Sequence, residues 1–370
     1  MKLKKITLQG YKSIEKIDGF EFRNLNVLIG PNAAGKSNFI SFFRLLSWMM
    51  AEPNGNLQQF ILGRGGGGNA LLFDGAKTTP QMDAELTFET ETGFNDYFFR
   101  LFHGAPDRLI FADEKYRFSN KQLPSKAPWT TLFSGHDEAQ ILVARKLAGN
   151  TTARMIVGML RNCVVYQFHD TSEKAGIRTF WSKSDNRFLK ENGANLAPVL
   201  LRLKENRREN YNRIIEIISQ LLPHFADFFL EPDDNSLLLR WKEIGTDTIF
   251  DSHQASDGSL RIMALITLLL RPQNEIPDLL ILDEPELGLH PKAIHVIAGL
   301  IKSVSVNKQV VLATQSKELV DQFEPEDVIT LERKSRGTVL KRLNSEALGE
   351  WLQEYSLGDL WEKNVIGGRP

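Results

Sequence analysis

Eight residues near the start of the chain, Gly30-Pro31-Asn32-Ala33-Ala34-Gly35-Lys36-Ser37, have the types and spacing to hold a polyphosphate. They complete the pattern G-x-x-x-x-G-K-[ST], in which glycines let the backbone curl until consecutive N–H groups point at phosphate oxygens. Asn32, Ala33, Ala34 and Gly35 would line that cradle. Lys36 would reach the terminal phosphates, and Ser37 would place its hydroxyl on Mg2+. An apolar run, Asn26-Val27-Leu28-Ile29, precedes the loop, and a helix-like stretch beginning at Asn38 follows it. The helix would add the positive end of its dipole at the phosphates. At ordinary glycine usage a random match in a chain this long arises roughly once in a hundred. The flanking strand and helix argue further against a mere glycine turn, so a nucleoside triphosphate is the expected ligand.

A phosphate loop needs an acidic strand end, and Asp278-Leu279-Leu280-Ile281-Leu282-Asp283-Glu284-Pro285 supplies one. Four consecutive apolar residues predict a central parallel strand covered on both faces. At its end Asp283 would orient the magnesium and Glu284 would polarise the attacking water. The plainer alternative is a strand that ends in a solvated acidic turn.

The elements that must hold these residues can be read from periodicity. Residues 3–9 and 20–29 predict strands, and residues 38–50 predict a helix apolar almost all round, hence deeply buried. Gly63-Arg64-Gly65-Gly66-Gly67-Gly68 predicts a flexible loop. From Met82 to about Phe118, short alternating strands separated by Gly, Asn, Asp and Pro predict an antiparallel meander. A polar loop is expected over 119–135, then helices over 137–160, Asn195–Lys204 and Arg208–Leu222. Strands return at Ser236–Lys242, Leu279–Leu282, Gln309–Ala313 and Asp327–Glu332. The tail from Gly358 reads as frayed.

Bulk properties bound the rest. The 370 residues carry a formal net charge of −1 and are 42% hydrophobic, enough for a sizeable core and without a global pull toward nucleic acid or membrane. The one basic run, Arg202-Leu203-Lys204-Glu205-Asn206-Arg207-Arg208, reads as a solvated helix face. The single cysteine, Cys163, cannot form an internal disulfide, which suits a reducing cytoplasm. The longest apolar run, Ile262–Leu270, is about half a membrane span.

Leu279 to Pro291, LLILDEPELGLHP, resembles the segment that carries the acidic strand end in ABC-type ATPases. The likeness is to the branch that holds the chromosome-maintenance and double-strand-break-repair ATPases and the RecF-like and OLD-family proteins. Ser256-Asp257-Gly258-Ser259-Leu260-Arg261 is similar to that branch's signature motif. Leu8-Gln9-Gly10-Tyr11-Lys12-Ser13 resembles its first strand and turn. The resemblance implies an α/β fold: an ABC-type P-loop ATPase head with a mixed sheet, an antiparallel β meander and an inserted helical lobe. On this pattern residues 1–135 form the N-terminal ATPase half and 136–235 the lobe. Residues 236–345 form the C-terminal half and 346–370 a tail.

The resemblance also implies chemistry and partners. Ser256 and the N–H groups near Gly258 would cap a helix N-terminus that completes the ATP site of a second copy, giving a homodimer across ATP and Mg2+. Where most of these ATPases carry histidine after the next strand, this chain has Gln315, in Val310-Val311-Leu312-Ala313-Thr314-Gln315-Ser316. A glutamine amide can bond the γ-phosphate or the water but cannot take a proton, so slow turnover with Glu284 as base is expected. Gln167 is the candidate for the family's conserved glutamine loop, with a structural strand-edge residue as the alternative. The likeness to small stand-alone bacterial ATPases implies a protein effector, a nuclease or toxin from a neighbouring gene, in DNA repair or anti-phage defence. It leaves DNA open as a ligand, and it implies a cytoplasmic protein with no membrane partner.

Overall fold

The computed structural model describes residues 1–51 and 55–368. Along the chain it forms strands β1 (Lys2–Tyr11), β2 (Ile14–Glu21) and β3 (Leu25–Ile29), then helix α1 (Lys36–Met49). Strands β4 (Gln81–Glu89), β5 (Gly93–Gly104) and β6 (Arg108–Asn120) follow, then helices α2 (Thr151–Arg161), α3 (Leu196–Asn206), α4 (Arg208–Leu221) and α5 (Asp257–Leu270). The last third holds β7 (Leu279–Asp283), α6 (Pro291–Ser305), β8 (Gln309–Ala313), β9 (Val328–Lys334), β10 (Gly337–Arg342) and α7 (Leu357–Glu362). The chain divides into two compact units, Met1–Val164 with Glu324–Pro370, and Val165–Phe323.

In the first unit an antiparallel sheet runs in the order β2-β1-β4-β5-β6, with Thr130–Thr131 on the β6 edge. Alternation explains it: Met82, Ala84, Leu86 and Phe88 of β4 are all buried, with less buried residues between them. Helix α1 lies on this sheet through aromatic rings. Phe42 meets Tyr11 of β1 edge-on at 5.5 Å and stacks against Phe99 of β5 at 6.5 Å. Phe39 meets Phe43 at 5.4 Å and Phe22 at 6.3 Å. The buried face of α1 positions the phosphate loop, because the loop runs straight into the first turn of this helix. Within the same unit β9 pairs parallel to β3, and β10 returns antiparallel to β9.

In the second unit β7 and β8 pair in parallel, Leu279 opposite Gln309 through Asp283 opposite Ala313, and all ten residues are buried. This is the strand covered on both faces that its apolar run predicts. Helix α6 makes the crossover, starting at Pro291 with His290 as its N-cap. Helix α5 is buried along nearly its whole length. No helix among the described residues is long and apolar enough to cross a membrane.

Several expectations need correction. The helix expected over 137–160 is broken into Ile141–Ala144 and α2, with Gly149 left-handed between them. The strand expected over Ser236–Lys242 is two, Ser236–Leu237 and Arg240–Glu243, in different small sheets. The expected loop over 119–135 contains the Thr130–Thr131 strand paired with Lys115 and Tyr116. Ile61–Gly65 of the glycine-rich stretch forms a turn of π-helix. Up to Gly368 the tail is ordered: Ser356 and Asp359 form a capping box for α7, and Trp361 is wholly buried, its ring N–H donating to the Gly368 carbonyl; Arg369 and Pro370 lie outside the described residues.

Phe42 joins α1 to two strands of the sheet, through Tyr11 of β1 and Phe99 of β5. Phe42→Ala is expected to cost the first unit about 3–5 kcal/mol, read as a lowered denaturant midpoint at unchanged slope.

Candidate functional site

The phosphate loop is shaped by its own backbone before any ligand is considered. Ala33 sits at φ 66° and Gly35 at φ 110°, both in the left-handed region. A Cβ at Gly35 would stand 2.2 Å from Thr338 Oγ1, so only glycine fits there. Lys36 is 6% exposed, and its Nζ donates to the carbonyls of Gly30 and of Pro31, the latter at 3.3 Å. The cation is thus held inside the curl of the loop. Gly35 ends the loop as the N-cap of α1, its carbonyl accepting from Phe39 N at 2.9 Å. Ser37 and Asn32 are exposed at the loop surface, and Asn38 Nδ2 donates to Ser13 Oγ at 2.8 Å. A helix N-terminus and a central ammonium at this loop fit a polyphosphate.

The second unit carries the acidic set. Asp283 ends β7 and is 8% exposed. Gln167 Nε2 donates to Asp283 Oδ2 at 3.3 Å, and His169 Nε2 lies 3.0 Å from the Asp283 carbonyl. Gln167, which the sequence leaves between a nucleotide role and a strand-edge role, therefore touches the strand-end carboxylate directly. Glu284 takes φ 46°, a left-handed conformation that costs a non-glycine residue about 1–2 kcal/mol. Its N–H still pairs with the Ala313 carbonyl at 2.8 Å. The Gln315 amide donates to Glu284 Oε1, so the base candidate and the switch candidate are already in contact.

Glu286 is a residue that sequence reasoning missed. Its Oε1 accepts from Thr314 Oγ1 at 2.6 Å and from the Gln315 N–H at 3.0 Å. Its Oε2 is buried without a hydrogen-bond partner among the described residues. Burial pushes its carboxyl above the ordinary glutamate range, with the Thr314 and Gln315 donors pulling the other way and the Glu284 charge adding to the rise. Thr314 and Gln315 are thus anchored to the turn that follows β7.

The signature segment is held as firmly. Ser256 is exposed, and its Oγ caps α5 by accepting from Ser259 N at 3.1 Å. A Cβ at Gly258 would stand 2.9 Å from the Gly288 carbonyl, so glycine here also serves a close backbone approach. Arg178, another missed residue, is 7% exposed and binds this segment through Ala255 O at 3.3 Å and Asp257 Oδ1 at 3.1 Å and through Ser252 O just before it, while its Nε donates to Thr171 O at 2.8 Å. No sequence signal marks it, since its partners in and just before the signature segment lie 74 to 79 positions away. The basic run is less free than its composition suggests: Arg202 pairs with Glu275 and Lys204 with Asp227. Cys163 is buried.

Among the described residues no group of three or more His, Cys, Asp or Glu side chains is placed to hold a metal alone. Ser37 in the first unit offers a hydroxyl and Asp283 in the second a carboxylate, each a hard oxygen of the kind Mg2+ takes.

The family model described as "AAA domain, putative AbiEii toxin, Type IV TA system" matches residues 25–129 and 164–321. That is well over half of the chain, and the chain belongs to this family. Energy-coupling factor transporter ATP-binding protein EcfA2 from two strains of Staphylococcus epidermidis is 30% identical over 97 residues, 26% of this chain. The chain spans about a third, 31%, of the length of those curated relatives. Among solved structures, the SMC head domain from Thermotoga maritima matches with a TM-score of 0.50 at 15% identity, covering 93% of this chain and all of that one. An Smc head domain with an extended coiled coil, bound to the C-terminal domain of ScpA derived from Pyrococcus furiosus, gives 0.55 at 16%, covering 95% and 99%. The SmcHead bound to the C-winged helix domain of ScpA gives 0.60 at 16%, covering 94% and 100%. Likeness at these identities speaks of fold, and the fold is the mixed α/β head of an ABC-type, SMC-like ATPase.

A raised carboxyl stabilises the fold fully below the ordinary glutamate pKa of 4.5 and loses that contribution as pH rises through the raised value. The stability of wild type relative to Glu286→Gln is therefore expected to fall as pH rises above the ordinary glutamate value of 4.5, as read by urea denaturation at a series of pH values.

Proposed function

We propose that this member of the AAA-domain family binds ATP with Mg2+ and hydrolyses it slowly, as a homodimeric switch that acts on a protein partner. The observation that carries the reading is the phosphate loop, with the Lys36 ammonium held at its centre and the Gly35 position closed to any side chain. In this reading Asn32, Ala33, Ala34, Gly35 and Asn38 line the phosphates and Lys36 neutralises the terminal ones. Ser37 and Asp283 hold the magnesium, which when bound offsets the charge that develops on the phosphoryl group. Glu284 accepts the proton of the attacking water. Gln315 orients that water through its amide and cannot relay the proton, which supports slow turnover. Ser256 and Gly258 present the capped end of α5 to the ATP of a second copy.

The partner proposed is a nuclease or toxin effector encoded nearby, in DNA repair or anti-phage defence, in a cytoplasmic setting. Solved SMC heads are bound to domains of ScpA, which supports seeking a protein partner before DNA. The pairing of Arg202 and Lys204 with acids lowers the case for DNA. A second reading is a nucleotide-dependent scaffold that restrains the effector, with hydrolysis incidental. The Gln315 amide on Glu284 favours it, because a donor already occupies one oxygen of the base.

Lys36→Ala is expected to weaken MgATP binding at least tenfold by calorimetry. Glu284→Gln is expected to bind MgATP normally, with hydrolysis down about 10²–10⁴-fold. Unchanged ATPase in both variants overturns the enzyme reading. An effector complex that forms equally well with Glu284→Gln favours the scaffold.

A further inference from the structure

Thr338 is the second residue of β10, in a hairpin to which no sequence motif assigns a task. It is 2% exposed, and its backbone N–H donates to the Ser13 carbonyl at 2.8 Å. Its hydroxyl donates to the Ala34 carbonyl at 2.9 Å, inside the phosphate loop. The same hydroxyl oxygen lies 2.8 Å from Ser13 Oγ, and Ser13 Oγ accepts from Asn38 Nδ2 at 2.8 Å. Each hydroxyl has one proton to give. With the Thr338 proton committed to Ala34, Ser13 must donate to Thr338, so the chain runs one way from Asn38 through Ser13 and Thr338 to Ala34.

The Ala34–Gly35 peptide is planar and trans, so its C=O and N–H point in opposite directions. A carbonyl tied outward to Thr338 leaves the Gly35 N–H aimed into the curl of the loop. The absent Cβ of Gly35 makes room for this, since the Thr338 hydroxyl occupies the place a side chain would take. We infer that Thr338 is a positioning residue for phosphate binding, its hydroxyl fixing the Ala34–Gly35 peptide so that the Gly35 N–H is set toward the nucleotide before it arrives. The inference rests on the reading of this loop as the ATP site.

The test is MgATP titration of the full chain by calorimetry, with thermal unfolding of each nucleotide-free variant. Thr338→Val keeps the shape and removes the donor, leaving the buried Ala34 carbonyl without its side-chain partner. Its affinity is expected to fall about tenfold, with the unfolding temperature of the folded variant lowered by only a few degrees. Thr338→Ser is expected to stay within about threefold. In turnover the KM of the valine variant rises while kcat is nearly unchanged. Valine binding as tightly as wild type, or serine as weak as valine, overturns the role of the hydroxyl. If the valine variant does not fold, serine and alanine at 338 ask the same question: weaker binding by alanine alone supports the role, and equal affinities overturn it. A wild-type chain that binds no MgATP overturns the ATP reading as well, whereas wild-type binding with an unaltered valine variant overturns only Thr338.

Discussion

A backbone that turns its N–H groups toward an anion must find partners for the carbonyls it turns away. That constraint organises the first unit. The loop cannot pair its carbonyls in a sheet, because its dihedrals are left-handed at Ala33 and Gly35. Gly30 and Pro31 instead accept from Lys36, Gly35 accepts from the second turn of α1, and Ala34 accepts from Thr338. Each solution recruits another element: α1 must lie where its rings pack on the antiparallel sheet, and β10 must return beside β9. A buried polar group left without a partner costs about 1–3 kcal/mol, comparable with the cost of the left-handed residues themselves.

The second unit meets the opposite demand, keeping carboxylates at the end of a strand that is otherwise apolar and covered. Asp283 and Glu284 sit where β7 stops, so their charge is released at the strand end while Leu279 to Leu282 stay dry. The left-handed Glu284 turns the chain sharply, and Glu286 then ties that turn to Thr314 and Gln315 at the end of β8. Two adjacent strand ends thereby become one rigid piece. Arg178 does similar work for the signature loop with its planar fork of donors.

What the sequence discloses follows from locality. The phosphate loop, β7 and β8 are readable because each depends on neighbours in the chain: glycine spacing, a four-residue apolar run, a pair of acids. Gln309–Ala313 matches its expected bounds for that reason. Thr338, Arg178 and Glu286 are illegible because their meaning lies in partners dozens to hundreds of positions away. The tail misleads for a related reason: its glycines suggest fraying, while Trp361 orders it by burial. The helix expected over 137–160 is cut by Gly149, whose left-handed turn outweighs the apolar period on either side.

The bond between Thr338 and Ala34 closes over 304 positions of chain. Ribosomes add about 5–20 residues per second, so the loop is made roughly a quarter of a minute to a minute before the residue that braces it. Through that interval the Ala34 carbonyl of the nascent chain lacks its Thr338 partner. If Thr338 sets the Gly35 N–H as proposed above, nucleotide affinity matures only late in synthesis, and a half-made chain has no firm grip on the abundant nucleotides around it.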